Sequence, residues 1–295
     1  MRRLAPLLAA LVVLPAAACA GPAATPAASE TEHRPFVVAA FAPLAEVART
    51  VGGAAVDVAS LTPAGVEPHD LELSASQVAD IDAADVVLYV KGFQPAVDEA
   101  IAQHAADRAI DVSAGLPVRT ADGAQDPHVW LDPRNMARIA DTLSTRLTTM
   151  LAGTPAAGAI ATNATGFDAA MTALDADYRA GLANCAVKTL VVSHDAFGYL
   201  ADAYGFTQVG LSGLSPEAEP SPARLAEVAD IVQRQGVRTV YSEKLVDPRI
   251  AQTLADTARV TTAVLDPIEG IPDGQTYDAI MRANLETLRA GQGCA

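Results

Sequence analysis

Aromatic residues are scarce in this 295-residue chain, at 4% with a single tryptophan, and so are cations: 20 Lys and Arg stand against 35 Asp and Glu. The resulting net charge of -15 argues against nucleic acid as a partner, since phosphates need a basic surface, and against adsorption to an anionic membrane face. There is no His-Glu-x-x-His helix, Walker loop or nucleophile elbow, so the commonest sequence signs of hydrolytic or nucleotide chemistry are missing. What is present is a hydrophobic fraction of 51%, carried mainly by Ala, Val and Leu, enough for a substantial core of small side chains. The length suits one large domain or two of ordinary size. An acidic surface suits the handling of cations, though solubility explains it equally well.

Cysteine is also rare, with three in all, and the first of them bears on the compartment. Arg2 and Arg3 precede an apolar run from Leu4 to Ala18, short for a bilayer span, which reads as a signal peptide over residues 1–18. The run ends in Leu14-Pro15-Ala16-Ala17-Ala18-Cys19, which resembles the lipobox of bacterial lipoproteins, although Leu14 lies further from the cysteine than that pattern has it. The resemblance implies that Cys19 is lipidated and anchors the mature protein on the outer face of the cytoplasmic membrane; the alternative is an ordinary signal with a chance cysteine. Residues 19–35, rich in Ala, Pro, Ser and Thr and including His33, read as a flexible tether. Cys185 and Cys294 remain as an even pair, a candidate disulfide in an exported protein, against the alternative of two free thiols.

From Phe36 onward short apolar runs alternate with helix-compatible segments. Strands are expected at Phe36 to Phe41, Val56 to Leu61, Val86 to Val90 and Ala109 to Val112, and helices from about Pro43, from Ser74 (with Gln77 at capping-box spacing) and from Pro95 to about Arg108. Pro133 to Leu151 and Pro155 to Gly181 read as two helices, the second about 40 Å long, more than a crossover needs. Alternation then resumes, with strands at Thr189 to Val192, Thr207 to Leu211, Val237 to Tyr241 and Thr261 to Leu265 and a closing helix over Tyr277 to Ala290. The expected fold is α/β: an N-terminal lobe over residues 36–152, a long linking helix over 153–184 and a C-terminal lobe over 185–295, each lobe a mostly parallel sheet flanked by helices.

Chemistry concentrates around histidine. Asp126-Pro127-His128-Val129-Trp130-Leu131-Asp132-Pro133 places one imidazole and the tryptophan between two Asp-Pro steps, with Asp132 capping a helix that starts at Pro133. His69 closes a turn-rich loop, His194 follows the apolar strand Thr189 to Val192, and Asp266 follows Thr261 to Leu265. In open α/β sheets ligands gather at strand ends, and three imidazoles with one carboxylate suit four-coordinate Zn2+ better than manganese. A packed or capped role for each histidine stays open on spacing alone. Zinc affinity would fall as pH drops through about 6.5, because ligation needs neutral imidazole. Glu67, Asp70, Asp195 and Glu243 would be the general bases of a rival zinc hydrolase; Glu243 is alternatively an outer partner of an imidazole or an ion-pair partner of Lys244. His104 reads as a surface residue, and the acidic loop at Glu217 to Glu219 as either solvated or a docking feature.

Gly65-Val66-Glu67-Pro68-His69-Asp70, Asp126 to Pro133, Ser193-His194-Asp195-Ala196-Phe197-Gly198-Tyr199-Leu200 and Leu265-Asp266-Pro267 together resemble the cluster A-I, or cluster 9, metal-binding proteins of bacterial ABC importers. The resemblance runs over nearly all of the chain from Phe36. It implies a metal held between two lobes by His69, His128, His194 and Asp266, with His at the third position marking the zinc-type branch and Glu the manganese type. It further implies a monomeric receptor, not an enzyme, that delivers Zn2+ to a membrane permease, and it supports pairing of Cys185 with Cys294. A manganese receptor or a metal-binding adhesin of the same fold are the alternatives. Many zinc-type members carry a long His- and Asp-rich loop before the second histidine, where this chain has only Asp122-Gly123-Ala124-Gln125.

Overall fold

The computed structural model describes residues 34–121 and 123–295. The signal peptide, Cys19 and His33 lie outside the described residues, as does most of the tether. Two four-stranded parallel sheets form, and their central strands are buried on both faces, which is why three of these four read as near-continuous apolar runs, while the edge strands are partly exposed and more polar. The first comprises β1 (Phe36–Ala39), β2 (Asp57–Ser60), β3 (Val86–Tyr89) and β4 (Ala109–Asp111) in the order β2-β1-β3-β4, with β4 on an edge. A small antiparallel hairpin follows, β5 (Thr120–Ala121) with β6 (Ala124–Gln125). The second sheet comprises β7 (Thr189–Val192), β8 (Thr207–Gly210), β9 (Thr239–Ser242) and β10 (Thr261–Val264) in the order β10-β9-β7-β8. Numbered within each half, both orders are 2-1-3-4. The topology therefore repeats although the sequence shows no repeat.

Helices α1 (Ala42–Gly52), α2 (Ala75–Ala83), α3 (Pro95–His104) and α4 (Pro133–Met150) accompany the first sheet. Ser74 and Gln77 form the expected capping box on α2, and Asp132 caps α4 through the Arg134 N–H with Pro133 at the first helical position. Helix α3 stops at His104, four residues short of its expected end, because Arg108 folds back and donates to the carbonyls of Asp82, Ala84 and His104. His104 lies 3.5 Å from Asp82 at the surface, away from the other histidines.

Helix α5 (Pro155–Leu182) buries Ile160, Ala164, Phe167, Met171, Leu174, Tyr178 and Leu182, a stripe at spacings of three and four. At 28 residues it is about 42 Å long. It packs on α4 and α1 from one half and on α9 (Tyr277–Gln292) from the other, where the Tyr178 hydroxyl donates to the Met281 carbonyl at 2.7 Å. Helices α6 (Gly198–Tyr204), α7 (Pro222–Gln235) and α8 (Arg249–Ala258) complete the second sheet's layers. The main core runs without a break from Val37 and Phe41 through α5 to Leu190, Tyr241 and Leu265, so the halves share apolar packing. Cys185 and Cys294 are joined, pinning the end of α9 beside the segment that leads into β7.

Candidate metal centre

Three imidazoles meet where the carboxyl ends of the two sheets face each other. His69 ends the loop after β2, His194 lies two residues beyond β7, and His128 sits on a one-turn 3-10 helix, Val129–Leu131, that leads through Asp132 into α4. All three are buried, with exposures of 9%, 0% and 0% for His69, His194 and His128. The fourth member of the cluster is Glu269, at 1%. Its Oε1 lies 3.2, 3.6 and 3.5 Å from the Nε2 atoms of His69, His128 and His194, and the last two nitrogens are 3.3 Å apart. A tetrahedral zinc with bonds of about 2.0–2.1 Å would hold its donors about 3.3–3.4 Å apart, and these four separations lie close to that, while all four ligand atoms lie within 4.8 Å of one another.

The far side of two rings is fixed by carboxylates. Asp126 Oδ1 accepts both the His128 N–H at 3.0 Å and the ring Nδ1–H at 2.8 Å. Glu243, directly after β9, accepts the His194 N–H at 3.2 Å through one oxygen and Nδ1–H at 2.7 Å through the other. Each carboxylate thereby assigns the tautomer that leaves Nε2 facing Glu269. The pairing of Glu243 with Lys244, which the sequence suggested as one option, does not form. Phe93 closes the site beside His69 at 4.7 Å between ring centres, and Trp130 lies 5.2 Å from His128, near enough to report on it.

Asp266, expected as the fourth ligand, is not brought into the cluster. Its Oδ1 accepts the Ile268 N–H at 2.8 Å, its Oδ2 is 2.7 Å from Lys244 Nζ, and Asn284 on α9 brackets its backbone through Asp266 N–H at 2.9 Å and the Asp266 carbonyl at 2.7 Å. Ile268 takes φ 58°, in the left-handed region that a β-branched residue rarely enters. That strain is sustained by the turn Asp266 makes, by full burial of Ile268 and by the Trp130 indole donating to the Pro267 carbonyl at 2.7 Å. The reversal swings Glu269 inward. Sequence reasoning stopped at the carboxylate nearest the strand; the missed signal is that an Asp before proline uses its side chain on its own turn, leaving the next carboxylate free to reach a ligand.

Burial lowers the pKa of His69. Burial also opposes the charged form of His128 and His194, but carboxylate partners outweigh it: Asp126 and Glu269 raise His128, and Glu243 and Glu269 push His194 up to about 10. Glu269 is itself held well below the usual carboxylate range by its three imidazole partners, against the effect of burial. A proton on His194 Nε2 and a divalent cation thus compete for one nitrogen. Glu67, whose Oε2 accepts the His69 N–H, is raised to about 9 by burial and by a hydrogen bond with Glu217. Among the other bases considered for a hydrolase, Asp70 is exposed and Asp195 accepts from Gln208, so neither joins the cluster.

The profile of the family described as zinc-uptake complex component A, periplasmic (ZnuA), matches residues 37–291. The chain belongs to the ZnuA family. The zinc-binding protein AdcA of Streptococcus pyogenes is 33% identical over 88% of the chain, which spans 56% of that longer protein. The high-affinity zinc uptake system protein ZnuA of Bacillus subtilis is 29% identical, with 92% of each chain covered. Among solved structures, the Zn(II)-bound ZnuA-like domain of Streptococcus pneumoniae AdcA superposes with a TM-score of 0.76 and 32% identity, over 88% of this chain and 99% of that one. The two parallel sheets flanked by helices accord with that likeness in fold.

Proposed function

We propose that this ZnuA-family chain is an extracytoplasmic receptor that captures Zn2+ through His69, His128, His194 and Glu269 and delivers it to an ABC importer permease, held at the membrane by a lipid on Cys19. The observation that carries the reading is the convergence of three imidazoles and one carboxylate whose ligand atoms lie within 4.8 Å of one another, with Asp126 and Glu243 behind two of the rings. Three nitrogens and one oxygen favour zinc over manganese along the divalent series. Four protein donors complete the shell, whereas catalytic zinc keeps a position for water, so the donor set supports a receptor and not a hydrolase. Relatives described as zinc-binding and zinc-uptake proteins support the same cargo. A cavity of about 690 Å³ beside the site has Glu67, Glu217 and Glu219 among its lining residues, together with Asp247 and its ion-pair partner Arg249, and is wide enough to admit a hydrated cation.

Competitive titration of the metal-stripped protein, followed by Trp130 fluorescence and elemental analysis, is expected to give one zinc per chain that excess manganese does not displace. Equal competition by manganese would refute the nitrogen-rich shell, and no binding of either ion would refute the receptor reading.

The pH dependence differs from that of an ordinary histidine site. Because His194 keeps its proton up to about pH 10 while metal must take Nε2, zinc binding at pH 7.5 should release at least one proton, and affinity should fall about tenfold per pH unit from pH 8 to pH 6. His69, with its lowered pKa, adds to the fall only at the acidic end. The expected onset near pH 6.5 therefore moves upward. In the metal-free protein the sign reverses: the raised His194 pKa stabilises the fold below its unfolded value, and that stability is lost as pH rises towards 10. Calorimetry in buffers of different ionisation enthalpy counts the protons; an affinity independent of pH between 6 and 8 would contradict the assignment.

A further inference from the structure

We propose that Arg119 is a positioning residue that clasps the ligand His128 to the C-terminal half and so sets how slowly zinc leaves; the inference rests on the receptor reading above. The hairpin β5-β6 turns the chain back on itself, so that the Asp126 N–H donates to the Arg119 carbonyl at 2.9 Å and the two residues lie side by side. Asp126 is fully buried and spends one oxygen on His128. Its other oxygen has no aligned hydrogen bond, and the charge facing it is Arg119 Nε at 3.2 Å. Arg119 then reaches across to α6, where Nη1 donates to Asp202 Oδ2 at 2.6 Å.

The crossing is built for that side chain. Arg119 runs over Gly198, the first residue of α6, where a Cβ would stand 2.0 Å from Nε, so only glycine leaves room. The Tyr199 hydroxyl accepts the Arg119 N–H at 3.1 Å and donates to the Asp126 carbonyl at 3.3 Å, a second tie between the same partners. Helix α6 starts four residues after His194. One guanidinium therefore links the outer partner of the second ligand to the helix that follows the third. Separating the halves requires breaking the contacts of Arg119 with Asp202 and Tyr199 or dragging Asp126 and His128 along. Without Arg119, the second oxygen of the buried Asp126 loses the guanidinium that faces it and the geometry Asp126 imposes on His128 relaxes.

The test uses the mature full-length protein. Zinc release to a chromophoric chelator is timed by stopped flow, and the Co2+ absorption spectrum reports the donor geometry. Arg119→Met should release zinc about tenfold faster and shift the cobalt bands, at the lower end of what loss of an outer partner does. Asp202→Asn should do so more weakly, and Arg119→Lys should restore part of the effect, since an ammonium supplies the charge but cannot span both carboxylates. Should Arg119→Met fail to fold, Asp202→Asn alone decides, because Asp202 is largely exposed. Wild-type release rates and cobalt spectra in both variants, or lower thermal stability with an unchanged spectrum, overturn the clasp. Failure of the unaltered protein to bind zinc or cobalt overturns instead the receptor reading on which it stands.

Discussion

Glu269→Ala is expected to weaken zinc binding by more than about 100-fold, whereas Asp266→Asn costs less than about tenfold. Glu269 is the one anionic donor in the cluster and is 1% exposed, so its removal leaves a divalent charge among neutral imidazoles in a site that water does not reach freely. A hundredfold loss corresponds to about 2.8 kcal/mol. Asp266 works at one remove. The asparagine in Asp266→Asn still accepts the Ile268 N–H through Oδ1, and the lost partner, Lys244, has a half-exposed side chain, where an ion pair is worth little. Competition against a chelator of known affinity measures both. A larger loss from Asp266→Asn than from Glu269→Ala would return the fourth position to Asp266.

Removing the disulfide should produce the largest change in stability. Cys185 and Cys294 are 109 residues apart, and closing a loop of that length restricts the unfolded chain by about 4 to 5 kcal/mol in the entropy model. For a protein of this size the double variant Cys185→Ala, Cys294→Ala should melt roughly 10 °C lower in its metal-free form. The link also guards the site at a distance, because α9 carries Asn284, which holds both backbone groups of Asp266 at the base of the Glu269 turn. The backbone bonds Ala186 N–H to Gly293 O and Val187 N–H to Gln292 O keep the helix end docked. Zinc affinity should therefore fall far less than stability. Calorimetric melting with and without zinc separates the two; an unchanged melting temperature would mean that the backbone pairing alone secures α9.

Most elements were legible because their signals are local. The central strands are buried runs, mostly apolar, and the caps of α2 and α4 are written in Ser74, Gln77, Asp132 and Pro133. Three of the four clustered side chains were legible for a related reason: His194 sits just past a strand, His128 at a helix entrance and His69 in the loop that leaves the carboxyl end of β2, where an α/β sheet presents ligands. The hairpin β5-β6 was not, since two-residue strands carry no period to read. Nor was the common 2-1-3-4 order of the sheets, which depends on crossovers and not on any repeated residue pattern.

The sequence by itself determined the α/β class, offered the cysteine pair as a candidate and singled out the three imidazoles that converge on one point. Only the tertiary structure decided which carboxylate joins them. Asp266 and Glu269 are equivalent on paper, both just beyond β10. The choice falls to the reversal at Ile268, held by Trp130 from the other half of the chain and by Asn284 from α9, and to Lys244, which occupies Asp266 from the end of β9. The same holds for the outer partners Glu243 and Arg119, whose roles arise from contacts across 49 and 83 residues. Neighbouring residues can set a turn or a cap, but the aim of a buried charge is settled by what the rest of the fold leaves beside it.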